Sequence, residues 1–297
     1  MNKTRGLTYG ILAGFIYGFT PILGKLTYLE GSNPISLTFY RNFLSIPFFF
    51  VMLKYNKISL RIDKKQSKKF AILGFLASMT ALSLYGSYNY ISVGMSTTIH
   101  YIYPVLVTAA CILIFKDKIS RDKVVSLILS TIGITLFFEG SINMTGIIMA
   151  FLSGVLFAGY LLFMDKSELN TIFPFIITFY TAIFSSVYLL IFGIISKGLV
   201  FKMTFTGWFY TILVAVFVSF LANTFVALGV KYVGPTVTSI VGMLEPITSI
   251  VMGILFLDEP VTIRNILACF LILLGVLIVT LAKEKNGGET PSCHAER

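Results

Sequence analysis

The sequence predicts an all-α integral membrane protein of about ten spanning helices, arranged as two inverted five-helix repeats. Three observations predict it: a composition too apolar for a water-facing surface, ten apolar runs separated by short polar gaps, and a second half that repeats the first at a nearly constant offset.

Of the 297 residues, 56% are hydrophobic and 12% are charged, with a mean hydropathy of +0.88. A soluble domain carries about 25% charged residues. A chain this apolar cannot cover itself with polar groups, so its solvent is lipid. The net charge of +10 admits two readings. A nucleic-acid surface would need a folded basic domain, and no stretch outside the apolar runs is long enough. The charge therefore reads as a topology signal, and no nucleic-acid partner is expected. Of the three cysteines, Cys111 and Cys269 lie within apolar runs and Cys293 lies in a polar tail. None has metal-ligand spacing, so neither a metal nor another cofactor is expected.

A spanning helix takes about 20 mostly apolar residues. The runs that satisfy this are 6–29, 34–53, 69–91, 96–115, 121–138, 144–164, 172–195, 206–229, 236–256 and 262–282. The first follows a basic start, as a signal peptide would. No small-residue cleavage site is evident and nine further runs follow, so it is expected to be retained. Residues 283–297 are polar, contain Gly287-Gly288, and are expected to form a disordered cytoplasmic tail.

Placing the N-terminus in the cytoplasm puts 18 of the 23 Lys and Arg residues on that side, seven of them between Lys54 and Lys69. Three fall outside, and Lys25 and Arg41 lie within spans. That bias predicts two cytoplasmic termini and an even number of crossings of the cytoplasmic membrane.

The repeat is read from residue pairs. Gly10, Gly14 and Gly18 match Ala150, Gly154 and Ala158 at an offset of 140. Pro34 matches Pro174, and Thr38-Phe39-Tyr40 matches Thr178-Phe179-Tyr180, at the same offset. After a slip of two, Tyr103-Pro104-Val105 matches Glu245-Pro246-Ile247, and Gly133 matches Gly275. The units are 6–138 and 144–282. Five spans per unit is odd, so the second enters from the opposite face, an architecture that recurs in alternating-access carriers.

The run Phe15 to Lys25, with Pro34 and Phe39 to Phe43, resembles the first- and second-helix signature of EamA-type drug/metabolite transporters. Glu245-Pro246-Ile247 and Leu257-Asp258-Glu259-Pro260 resemble its counterpart in the second half. The resemblance covers nearly the whole chain. It implies ten helices, a central cavity between the halves, and secondary transport of a small metabolite, with export of amino acids or related compounds commonest among members. Two features depart from the pattern. Phe115-Lys116-Asp117-Lys118 stands where Leu-Gly-Glu-Arg is usual, and Tyr17 replaces the usual tryptophan.

Charges inside a span are costly, about 2.5–3.5 kcal/mol on insertion scales, and mark candidate function. Glu245, before a helix-loosening proline, suits a substrate amine or a coupling proton; the plainer role is a hydrogen bond to a neighbouring helix. His100, one turn before Pro104 and near Tyr103, is a proton-relay candidate or a packed imidazole. Arg41 suits a carboxylate; its plainer roles are to snorkel outward or to brace the first helix through a carbonyl. Lys25 faces the cavity or snorkels outward. Tyr85 with Asn89, and Ser219 with Asn223, stand four apart and are expected to share helix faces. With Tyr17 they form the expected substrate pathway or interhelical glue. The chain has no Walker loop, GxSxG or HExxH motif, and is not expected to be an enzyme. The competing functions are a multidrug or cation effluxer of the same fold, and, less favoured, a membrane enzyme or scaffold. The expected partners are a small-molecule substrate, the lipid bilayer and a proton as candidate coupling ion.

Overall fold

The computed structural model describes residues 2–91, 93–116, 119–136, 143–167, 169, 172–248, 251 and 262–281. The tail 283–297, the motif at 257–260 and Asp117-Lys118 lie outside the described residues. The elements in order are α1 (Asn2–Tyr17), α2 (Thr20–Leu29), α3 (Pro34–Tyr55), α4 (Lys64–Ser87), α5 (Val93–His100), α6 (Tyr103–Leu113), α7 (Arg121–Thr135), α8 (Met144–Lys166), α9 (Pro174–Ile195), α10 (Phe205–Val214), α11 (Asn223–Gly242) and α12 (Ile263–Leu281). A π-helical stretch, Ala215–Ala222, joins α10 to α11.

Local chemistry starts several of these helices. Asn33 accepts a hydrogen bond from the Ser36 backbone N–H, and Pro34 follows it, a preferred cap and first residue. Asp63 and Gln66 cap α4 reciprocally. Asn143 and Thr204 cap α8 and α10 by accepting from the backbone N–H groups of Gly146 and Gly207.

Seven stretches among the described residues are long and apolar enough to cross a bilayer, which makes this a multi-pass membrane protein. One of them, Phe205–Thr248, has 44 residues, about 66 Å if straight, twice the ~30 Å hydrocarbon core. It turns at Gly234, whose φ of +77° suits glycine, and Pro235 opens the next helical stretch. Large apolar side chains such as Ile194, Phe151 and Phe270 point outward, whereas Ser and Thr are buried. Many of these hydroxyls donate to carbonyls three or four residues back, as Thr38 does to Pro34 and Ser78 to Phe75. Helices packed in lipid use such residues at their contacts.

Three spans are interrupted alike. Two residues leave the helix, and a proline follows at the second residue of the resumed stretch. The pairs are Gly18-Phe19 before Pro21, Tyr101-Ile102 before Pro104, and Met243-Leu244 before Pro246. Proline has no N–H and cannot donate to the carbonyl four residues back, so each break leaves backbone acceptors to be shielded by neighbouring helices.

Contacts recur at the sequence offset. The Tyr40 hydroxyl donates to the Val200 carbonyl, and the Tyr180 hydroxyl to the Leu60 carbonyl; adding 140 to the first donor and to the second acceptor interconverts them. A Cβ on Gly133 would stand 2.9 Å from the Ala268 carbonyl, and one on Gly275 2.7 Å from the Ser126 carbonyl. Those pairs interconvert at 142. Such reciprocity is what an approximate two-fold relation between two halves produces. Gly14 and Gly154, 140 apart, press on the carbonyls of Gly242 and His100, which are the acceptors orphaned by Pro246 and Pro104. The glycine positions of α1 and α8 thus let neighbouring backbone cover the breaks that follow α11 and α5.

Candidate functional site

A cavity of about 100 Å³ lies between the halves, several times what one water needs. The helix breaks aim residues into it. Tyr17 and Thr20 flank the break between α1 and α2, His100 and Tyr103 that between α5 and α6, and Glu245 follows the break after α11. Its wall carries six Tyr and Phe rings, those of Tyr17, Tyr85, Tyr88, Tyr103, Phe157 and Tyr160.

Arg41 is 9% exposed and donates from Nη1 to the Tyr85 hydroxyl at 2.9 Å, with its guanidinium carbon 5.2 Å from the ring centroid. Its Nε is buried without a partner. Glu245 is half-buried, because its carboxyl opens onto the cavity. The Tyr101 hydroxyl is a polar neighbour of that carboxyl and makes no hydrogen bond of ordinary geometry. Both charges lie within electrostatic reach of Tyr17 and Tyr85. Neither forms an ion pair among the described residues. Opposite charges in a low-dielectric space attract strongly, so two that face one cavity without pairing leave room for a ligand carrying both signs.

Tyr17 donates to the Asn223 side-chain carbonyl, tying α1 to the start of α11 across the cavity. His100 hydrogen-bonds through Nδ1 to Ser153 Oγ at 2.8 Å. Its ring stands 5.3 Å from that of Tyr103 and 5.5 Å from that of Phe157.

Of the nine residues expected from sequence, the cavity brings together Glu245, His100, Tyr103, Tyr17, Tyr85, Asn223 and Arg41. Lys25 is exposed on α2, where its ammonium reaches water or headgroups. Asn89 lines a separate cavity with Asn33, Tyr90 and Phe192. Helix α4 ends at Ser87, so Asn89 sits in a turn and does not share the face of Tyr85. Ser219 is also off the expected face. The π-helical turn winds it into a buried site, with its hydroxyl unpartnered, while Asn223 reaches the cavity.

The wall also holds Thr20, Asn42, Phe157, Tyr160 and Thr181, which sequence reasoning did not single out. The repeat carried the signal: Phe157 is the partner of Tyr17, Tyr160 of Thr20, and Thr181 of Arg41, each at 140. A residue at the centre of a two-fold arrangement has its counterpart across the same space.

The chain matches the model of the EamA-like transporter family twice, over residues 4–139 and 144–281; it belongs to that family, and is a transporter built on an internal repeat. An uncharacterized transporter of Archaeoglobus fulgidus is 28% identical over 270 residues, 88% of this chain and 92% of the relative. A second from the same organism is 24% identical over 253 residues, 84% and 87% respectively. A solved crystal structure superposes with a TM-score of 0.78, covering 93% of this chain and 97% of the other at 12% identity, a likeness of fold.

Proposed function

We propose that this chain is a secondary carrier for a small zwitterion of the amino-acid class, working by alternating access across the cytoplasmic membrane. Its units are residues 6–138 and 144–282, ten spans in two inverted halves with both termini in the cytoplasm. The observation that carries the proposal is the unpaired placement of Arg41 and Glu245 on one cavity. Arg41 with Tyr85 offers donors to a carboxylate, and Glu245 offers acceptors to an ammonium group. The aromatic wall contacts the apolar remainder. Export is the direction the family resemblance implies, and a proton, carried by Glu245, is the proposed coupling ion.

A flat organic cation would also suit an aromatic wall with one carboxylate, but Arg41 in the same wall opposes it. Reconstitution into liposomes separates the readings. Radiolabelled α-amino acids are expected to cross saturably, with other amino acids competing and tetraphenylphosphonium not. Flux no higher than in empty liposomes, or competition by the cation alone, would refute the proposal. Arg41→Gln is expected to lower the apparent affinity for amino acids by about tenfold or more, the scale of one charge-assisted hydrogen bond.

A further inference from the structure

The donor at one hydroxyl settles which nitrogen of His100 faces the cavity. Ser153 has one hydroxyl proton. Its Oγ lies 2.6 Å from the Ala150 carbonyl, a separation that two acceptors tolerate only with that proton between them. Ser153 Oγ therefore accepts from His100, and the neutral ring carries its proton on Nδ1. The lone pair is then on Nε2. That atom makes no hydrogen bond among the described residues, is not among the sealed, unpartnered buried atoms, and belongs to a side chain that lines the cavity. Glu245 is on the same cavity, and Tyr103 neighbours both.

We infer that His100, locked by Ser153 with Nε2 as a bare acceptor, is a specificity-determining residue that works with Glu245 to require N–H donors on the substrate's cationic group. Two acceptors discriminate against a cation that has none. A carboxylate alone accepts a quaternary ammonium by charge, whereas an imidazole lone pair facing N-methyl groups stays unsatisfied. The substrate class is thereby narrowed from zwitterions in general to those with a primary or secondary ammonium group. This inference rests on the carrier reading for its substrate, but its geometric premise does not.

Two measurements on the reconstituted full chain test it. The chain has two histidines, His100 and His294, so histidine-labelled nitrogen NMR resolves the His100 ring with little overlap. The wild-type ring is expected as the Nδ1–H tautomer, and Ser153→Ala is expected to admit the Nε2–H form. A wild-type Nε2–H tautomer would overturn the inference while leaving the carrier proposal standing. In competition against flux of a radiolabelled α-amino-acid mixture, the N-trimethylated forms are expected to bind at least about tenfold more weakly than the parents. His100→Asn keeps a donor for Ser153 but loses the cavity acceptor, and is expected to weaken the parents by about tenfold. His100→Gln restores an acceptor and is expected to recover most of that loss. Equal competition by trimethylated and parent compounds, or equal losses in Asn and Gln variants, would overturn the inference. Absence of amino-acid flux with an Nδ1–H ring present would instead refute the carrier reading, and the substrate requirement with it.

Discussion

Glu245→Gln is expected to lower flux by about ten- to a hundredfold while the protein still folds. Glutamine has nearly the same shape and can still meet the Tyr101 hydroxyl, so packing around the α11 break is conserved. What goes is a negative charge facing the cavity. A hydrogen bond to a charged group contributes about 1.5–3 kcal/mol, which sets the tenfold to hundredfold range. The fold loses little, because Glu245 has no cationic partner to strand and a charge inside a membrane span is itself costly. If the carboxyl also carries a coupling proton, the variant's residual flux stops responding to a pH gradient. The measurements are liposome flux and detergent-solubilised thermal stability, side by side. Unchanged flux removes Glu245 from the site; loss of both readouts makes it a packing residue.

The second large effect falls on stability. Gly154→Ala is expected to cost about 1–3 kcal/mol, the range for overpacking a tight contact. A Cβ there would stand 2.7 Å from the His100 carbonyl and 2.7 Å from Ile102 Cγ2. The first of these is backbone at a helix break and cannot rotate away, so α5 or α8 must move and carry His100 with it. Gly159 is the control on the same helix. Its nearest neighbour is 3.7 Å away, a side-chain methyl of Leu76, and Gly159→Ala should be close to neutral. Thermal melts of the two variants check this; equal melting temperatures would mean that α5 and α8 do not pack closely at the break.

The framework was legible in the sequence because lipid imposes simple rules. Apolar runs of span length mark crossings, and the internal repeat sets Tyr40 against Tyr180, and Gly133 against Gly275, in register. The sequence marks Pro246 as loosening its helix; the like breaks before Pro21 and Pro104 lie within runs 6–29 and 96–115, which the apolar pattern reads as continuous. Facing was harder to read. Asn89 looked like a helical neighbour of Tyr85 because periodicity assumes the helix continues, and α4 stops two residues earlier. Ser219 and Asn223 looked paired because a spacing of four presumes α-helical winding, and the chain there is π-helical. Thr181 and Tyr160 carry no charge and no motif, and only their positions opposite Arg41 and Thr20 in the repeat mark them.

Access to the cavity from each face tests the carrier account most directly. With Cys111, Cys269 and Cys293 replaced, a single cysteine at the cavity-lining position Ala77 can be labelled by a membrane-impermeant maleimide added inside or outside the liposomes. Reactivity is expected from one face at a time, shifting toward the other when an amino-acid gradient is imposed. Equal labelling from both faces under every condition would mean a continuous pore, and would contradict alternating access.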